Sequence, residues 1–516
     1  MSQEKENNAP SVASVDEASL GKLSNLQKIR SKGLNPYPPT FRPTHKAAEL
    51  QQKYANLPKG EETTDSVTIA GRVRAYRNSG MFIDLHDATG KIQVYTSLKE
   101  DSTPEHLEIL SLIDIGDIIG VTGIVRRSPR GELTINSRAF TMLSKSRRSL
   151  PEKHHGLSDH ETRYRNREAD LIANEEAMTI FRQRSQIISA IRNLMQERGF
   201  VEAETPMLQQ IPGGASARPF ITHHNTLDTD LYLRIATELH LKRLIVGGLA
   251  DGVFEIGRIF RNEGLSIKHN PEFTSIEIYQ AYADYTDMME LTESIVAHTI
   301  SAIHASLKLK YGDKEIDFTT PWPRKSMAEL VREKTGIDFT TLTDAKAAKA
   351  AAEKIGVSIK PGSIWGEILE TVFAEKVEAT LIQPVHVIDL PKDISPLAKQ
   401  HRSNPLFAER FETYINGWEL ANAFSELNDP EDQFARFQEQ VRARAQGNDE
   451  AQYMDEDFII ALEYGLPPTG GLGIGIDRLV MLLTNAPSIR EVILFPTLRP
   501  GMSQESVIKR LAAQKE

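Results

Sequence analysis

At Val67 the spacing of apolar residues changes from helical to alternating, and that change bounds what the first third of the chain can become. Ahead of it Leu23, Leu26 and Ile29 recur at helical spacing until the run NPYPP from Asn35 to Pro39 stops the pattern. This predicts a helix, a turn and a second helix before about Asn56. Beyond it come VTIAGRVRAY, MFIDLHD, KIQVYTS, DIIGVTGIVRR and GELTINSRAFTML, parted by Gly, Asn and Asp turns. Five short strands in roughly 80 residues predict a small closed barrel.

A five-stranded oligonucleotide-binding barrel is one candidate, because it sets aromatic, polar and basic side chains of one strand face against unstacked bases. Arg77, Phe82, Gln93 and Glu132 lie on or beside strands where they could do this. The same residues also suit a barrel in which Phe82 is core and the charges are solvated. Net charge bears on the choice, since phosphate binding is largely electrostatic. The whole chain carries −10, but Ser66 to Ser149 holds twelve Lys/Arg against nine Asp/Glu, or +3, which leaves −13 for the remainder. A locally basic module sits in an acidic chain.

With 516 residues the chain has room for about two to four domains. Residues 1–20 read as a polar, disordered tail, 21–149 as helices plus barrel, 150–176 as a basic linker, and 177–516 as a second domain. In that domain a helix from Ala177 to about Glu197 stops at Gly199, and FVEAETPML reads as a strand. LYLRIA, a helix from about Thr237, VFEIGRIFRNE and FTSIEIYQAYAD follow, with hairpin spacing between the last two. RFETYINGWELANAFSELND reads as two strands and GGLGIGIDRLVMLLTN as a strand entering a buried helix. This order predicts an antiparallel sheet flanked by helices, α+β in class, with a helical insertion around 325–375 that includes a surface helix from Asp344 to Lys354.

Several chemistries are excluded. Without cysteine there is no disulfide, thiolate zinc site, thioester or cysteine-ligated cluster, which suits a reducing compartment such as the cytoplasm. No apolar run reaches the ~18 residues of a membrane span, and the first residues lack a secretory pattern. The pairs His154/His155 and His223/His224 lack metal-ligand spacing and read as surface or interface residues. Gly471, Gly473 and Gly475 are spaced GxGxG, unlike a dinucleotide fingerprint.

The informative constellation is Arg261-x-Glu263, a short loop, then His269-Asn270-Pro271-Glu272-Phe273 and Glu277. A hairpin with Arg261 and Glu263 on one face, and Phe273 and Glu277 on the returning strand, points these side chains into one concavity. The pattern resembles motif 2 of the class II aminoacyl-tRNA synthetases. Arg198 to Pro206 is similar to motif 1, and Gly471 to Arg478 to motif 3. With HHGLSDHETRYRNR, IPGGASARPFITHHN, AYADYTD and NGWELANAFSELND, the chain from about Leu23 onward resembles the bacterial class II lysyl-tRNA synthetases.

The resemblance implies activation of L-lysine by ATP and its transfer to the 3′ end of a lysine tRNA. It implies that a carbonyl near Gly213 and Glu238 hold the α-ammonium, and Arg261 and Asn422 the carboxylate. Glu277, Tyr279 and Glu426 would hold the ε-ammonium, with Phe424 along the stem. For ATP it implies Arg261 at the α-phosphate, Glu263 and the backbone near Asn270 at adenine, Phe273 and Arg478 on its two faces, and His269 on the loop. Glu412 and Glu419 would bind magnesium, Arg77, Phe82, Gln93 and Glu132 would meet the anticodon, and the enzyme would be a homodimer. The charge logic is independent: lysine has two ammonium groups and one carboxylate, so its pocket needs several acids and one base. An RNA-binding barrel without catalysis, and a lysyl transferase acting on protein, are the other readings; the first gives no reason for Arg261, Glu263, Glu412, Glu419 and Arg478 together and is separated by an exchange assay, and the attached barrel argues against the second.

Overall fold

The computed structural model describes residues 17–98, 104–150 and 159–499. These fall into two compact units, one on either side of residues 151–158, and each is described by itself. His154 and His155 lie outside the described residues, as do 1–16 of the expected tail. Residues 17–20 of that stretch are helical.

The first unit opens with helices α1 (Glu17–Ser31) and α2 (Ala47–Lys53). Strands β1 (Glu62–Arg77), β2 (Phe82–His86) and β3 (Lys91–Tyr95), helix α3 (Pro104–Ser111), then β4 (Ile118–Arg127) and β5 (Leu133–Ser144) follow. The strands close into a barrel in the order β1-β2-β3-β5-β4, the expected five-stranded oligonucleotide-binding fold. Alternation decides what faces inward: Val67, Ile69, Val73, Ile83, Leu85, Ile92 and Val94 are buried, while Phe82, Asp84, Gln93 and Tyr95 face out.

The second unit begins with α4 (His160–Arg165), α5 (Arg167–Ala173) and α6 (Glu175–Glu197). Thus part of the stretch read as a linker is helical. Among its described residues, fully buried Arg167 binds Asp170 at 2.6 Å, and Arg163 reaches Glu491 at 3.1 Å. Gly199, at φ +82°, ends α6 in the left-handed conformation that glycine adopts freely. The expected strand after it is broken into β6 (Val201–Glu202) and β7 (Leu208–Gln209), with Pro206 between them unable to donate to a ladder.

Then come β8 (Ile221–His224), β9 (Thr229–Leu233), α7 (Glu238–Val246), β10 (Gly252–Phe260), β11 (Glu272–Ala281), α8 (Tyr285–Ile303), β12 (Lys308–Tyr311), β13 (Lys314–Asp317) and β14 (Arg324–Ser326). His223 and His224 are exposed on β8. The region read as an insertion holds α9 (Met327–Thr335), α10 (Ala345–Lys354) and α11 (Trp365–Lys376). On α10 the Asp344 side chain caps the first turn, and Ala348 and Ala352 are fully buried, so one face of this expected surface helix is core.

Last are β15 (Val385–Ile388), β16 (Arg410–Ile415), β17 (Trp418–Ser425), α12 (Pro430–Ala445), α13 (Glu456–Glu463), β18 (Thr469–Gly475), α14 (Ile476–Thr484) and α15 (Ile489–Val492). Eight strands form the main sheet, β14-β15-β16-β17-β18-β11-β10-β6, antiparallel except for the pair at each edge. One sheet face sends Phe254, Ile276, Ile278, Phe411, Ala421, Ala423, Leu472 and Ile474 into a core shared with α6, α8 and α14. The opposite face carries the polar residues discussed next. Among the described residues no helix is long and apolar enough to cross a membrane.

Candidate functional site

Register, more than proximity in sequence, assembles the polar face. Across β16, β17, β18 and β11, Glu412 pairs with Asn422, Asn422 with Gly473, and Gly473 with Glu277. The next row on the same face is Arg410, Phe424, Gly471 and Tyr279. Strand β18 contributes no side chain from Gly471, Gly473 or Gly475, so the middle of the face is a trough. The glycines' purposes differ. A Cβ on Gly471 would lie 1.8 Å from Glu426 Oε1, whereas one on Gly473 would meet nothing closer than 3.8 Å.

Glu419 reaches this face through an irregularity. Tyr414 pairs with Glu419 and Thr413 with Ala421, leaving Leu420 as an extra residue. The bulge turns Leu420 into the core alongside Ala421 and leaves Glu419 on the polar side. Glu412, 7% exposed, accepts hydrogen bonds from Arg410 Nη2 at 2.7 Å and Tyr414 Oη at 2.8 Å. Burial and neighbouring Glu419 push its carboxyl up to about 7, with Arg410 opposing.

A hard divalent cation fits this pair, since it takes oxygen ligands and relieves their repulsion. Among the described residues no group of three or more His, Cys, Asp or Glu surrounds one point. Magnesium, which keeps water and phosphate ligands, does not need one. Because the folded value of Glu412 exceeds the ordinary 4.5, its ionisation costs stability as pH rises from there towards 7. A bound cation reverses that loss. The thermal shift on adding magnesium should therefore be larger at about pH 8 than at about pH 6, and equal shifts would exclude Glu412 as a ligand.

Beside the trough lies a concentration of buried charge. Glu238, at the start of α7, is 5% exposed and Glu426, just beyond β17, is 1% exposed. Glu277 accepts from the Thr237 amide at 3.0 Å and the Tyr279 hydroxyl at 3.2 Å. Burial raises all three carboxyls, and Lys242 pulls Glu238 and Glu426 part of the way back. Tyr279 is raised as well, by burial and then by Glu238. Gly213 packs against the start of α7, where a Cβ would be 2.6 Å from Leu239. Phe424 is half-buried in the same wall.

Arg261 and Glu263 correct the hairpin expectation, for β10 ends at Phe260. The Arg261 amide donates to Pro271 at 2.8 Å, but Pro271 has no N–H to return, and the Arg261 carbonyl accepts from Glu263 instead. The ladder stops there, leaving Glu263 exposed in the loop. The Arg261 guanidinium lies 5.4 Å from the Phe273 ring, and its buried Nε has no hydrogen-bond partner. Asn270 is 5% exposed, and its Oδ1 is likewise unpartnered. Arg478, in the first turn of α14, donates through Nη2 to His269 Nε2 at 3.2 Å and through Nη1 to the Glu419 carbonyl. Burial and then Arg478 lower the His269 value, so the ring is neutral and serves as the acceptor.

On the barrel, Phe82 is not core. It is half-buried on the outer face, with its ring 5.4 Å from that of Tyr95. Arg77 pairs with Asp84 at 2.6 Å, and Gln93 accepts from Thr134 at 3.2 Å. Glu132 is exposed just before β5, 4.0 Å from Lys91. Arg126 lies over Tyr95 at 5.1 Å, an addition to the residues expected from sequence.

The site also holds residues that sequence reasoning missed, chiefly Lys242 and Arg410. Arg410 was legible as a base two residues before Glu412, hence on its face of the strand. Lys242 was legible as the i+4 neighbour of Glu238 on the same helix.

Family comparisons agree with this geometry. Residues 159–499 match the family described as tRNA synthetases class II (D, K and N), and 67–143 match the OB-fold nucleic acid binding domain. A lysine--tRNA ligase of Sinorhizobium medicae is 55% identical over 480 residues, covering 93% of this chain and 96% of the relative. Those of Rhizobium meliloti and Oceanobacillus iheyensis are 54% and 52% identical, covering 93% and 92% of this chain and 98% and 97% of the relatives.

Proposed function

The chain belongs to the class II tRNA synthetases of the D, K and N group, and from that membership we infer that it joins L-lysine to tRNA at the expense of ATP. The observation that carries the choice of lysine is the convergence of buried Glu238 and Glu426 and half-buried Glu277 on one pocket with Phe424 in its wall. An anionic side chain would be repelled there, and a neutral one would leave buried charge uncompensated. Presenting the amino acids one at a time in ATP–pyrophosphate exchange tests this. Lysine should drive exchange, and exchange driven by aspartate or asparagine would overturn the reading.

In the first step the lysine carboxylate attacks the α-phosphorus of ATP; the bond to the β-phosphate oxygen breaks, giving lysyl-adenylate and pyrophosphate. The nucleophile is already ionised at neutral pH, so no general base is required. The residues act by positioning and by meeting charge as it develops. Arg261, with its unpartnered Nε, faces the carboxylate and the α-phosphate. Phe273 and Arg478 take the adenine ring between them, and neutral His269 orients Arg478 towards the leaving phosphates. Magnesium at Glu412 and Glu419 supplies charge neutralisation at the phosphates when bound. In the second step the terminal adenosine 3′-hydroxyl attacks the adenylate carbonyl and AMP leaves.

Glu426→Gln removes a charge and keeps the shape. It should weaken lysine binding about 100-fold by calorimetry while leaving ATP binding within about twofold. Unchanged lysine affinity would take Glu426 out of the pocket.

On the barrel, Phe82 and Tyr95 offer stacking surface, with Arg77, Gln93 and Glu132 able to read anticodon edges. Phe82→Ala should leave exchange unchanged and raise KM for tRNA in charging about tenfold or more. Equal loss in both assays would contradict a division of labour between the units. A homodimer and a cytoplasmic location complete the reading. Exposed Val201, Met207 and Leu208, at 39%, 49% and 47%, lie where a motif 1 interface would cover them.

A further inference from the structure

The acidic pocket contains a cation of its own. Lys242 stands one helical turn beyond Glu238 on α7 and is fully buried. Its Nζ donates to Glu238 Oε1 at 2.5 Å and forms an ion pair with Glu426 from across the sheet. The rings of Phe424 and Phe458 lie 5.5 and 5.7 Å from the same nitrogen, closing it off from water. A Glu and Lys four apart on a helix normally make a solvated pair of small consequence. Here both are buried and a second carboxylate from a distant part of the chain converges on the same ammonium.

Two carboxylates this close cannot both stay ionised in a buried site unless a cation lies between them. We propose, on the reading of the site given above, that Lys242 is a positioning residue for the substrate: it draws Glu238 and Glu426 together in their charged forms and leaves the pocket one positive charge short of neutrality. The charges that face it follow from the packing. Glu238 lies on its own helix, Glu277 and Tyr279 come from β11, Glu426 from beyond β17, and Arg410 from β16. Arg410 is already occupied by Glu412 at 2.7 Å, and from α13 the Phe458 ring lies against Lys242. Three carboxylates thus face two available cations, Lys242 and Arg261. Free lysine, with two ammonium groups and one carboxylate, brings the single positive charge that completes the set. An uncharged side chain does not.

Without Lys242, Glu238 and Glu426 would relieve their repulsion by taking up a proton, and that proton competes with the substrate ammonium. The test uses the full-length chain with Lys242→Met, close to isosteric, and Lys242→Gln, which keeps hydrogen-bonding capacity without charge. Lysine-dependent pyrophosphate exchange is followed between about pH 6 and about pH 9, with KM for ATP and thermal unfolding measured in parallel. In both variants KM for lysine at neutral pH should rise about tenfold or more and then fall as pH increases. KM for ATP should stay within about twofold, and the wild-type lysine KM should vary with pH less than that of either variant over the same range. A purely structural role would instead raise both KM values together and keep the wild-type pH profile, which would overturn the proposal. So would an unchanged lysine KM in either folded variant. Absence of lysine-dependent exchange in the wild type would overturn the underlying functional reading and is thereby told apart.

Discussion

Arg261→Ala should lower lysine-dependent pyrophosphate exchange by about 10³-fold or more while leaving thermal stability near that of the wild type. The two halves of this expectation share one cause. The buried Arg261 Nε has no hydrogen-bond partner, so removing the guanidinium strands no protein acceptor there. The position is instead held through the backbone, by the amide bond to Pro271, which alanine retains. What disappears is a fixed positive charge between carboxylate and α-phosphate, where negative charge grows during attack. A single donor aimed at such a charge commonly contributes 10²- to 10³-fold, and a guanidinium offers several. Exchange within about tenfold of wild type, in a variant that unfolds normally, would remove Arg261 from the reacting centre.

Much of this site can be read in the sequence because its chemistry is tied to short local patterns. The barrel shows itself through strict alternation, with Val67, Ile69 and Val73 turned inward. Glu412, Asn422 and Phe424 fall on one face because they sit at even spacing on neighbouring strands. What spacing hides is irregularity and convergence. Nothing in WELANAF announces that Leu420 is an extra residue, yet that bulge alone brings Glu419 to the polar side. The stretch before α6 reads as a polar, basic connector, and it is the distant partners, Glu491 for Arg163 and the carbonyls of Arg490 and Leu494 for Arg167, that make part of it core. The meeting of Lys242 with Glu426 is a fact of three dimensions, since it depends on α7 lying against the end of β17.

Gly471→Ala should raise KM for lysine by about 100-fold while KM for ATP changes far less. The added Cβ would lie 1.8 Å from Glu426 Oε1 and 2.7 Å from the Tyr279 ring, so the carboxylate must leave the position in which it meets Lys242. Rotation of Tyr279 offers little relief, because its hydroxyl is tied to Glu277 at 3.2 Å. Gly473→Ala makes the informative control, two residues away on the same strand face. Its Cβ would meet nothing closer than 3.8 Å, so thermal stability should be unchanged. The methyl group would nevertheless enter the trough between Asn422 and Glu277, where a ligand rather than a side chain fills the space. Loss of exchange in both variants, with destabilisation only in Gly471→Ala, would separate a glycine that makes room for the protein from one that makes room for substrate. If Gly473→Ala keeps full activity, the trough is not where lysine and ATP meet, and the assignment of this sheet face fails.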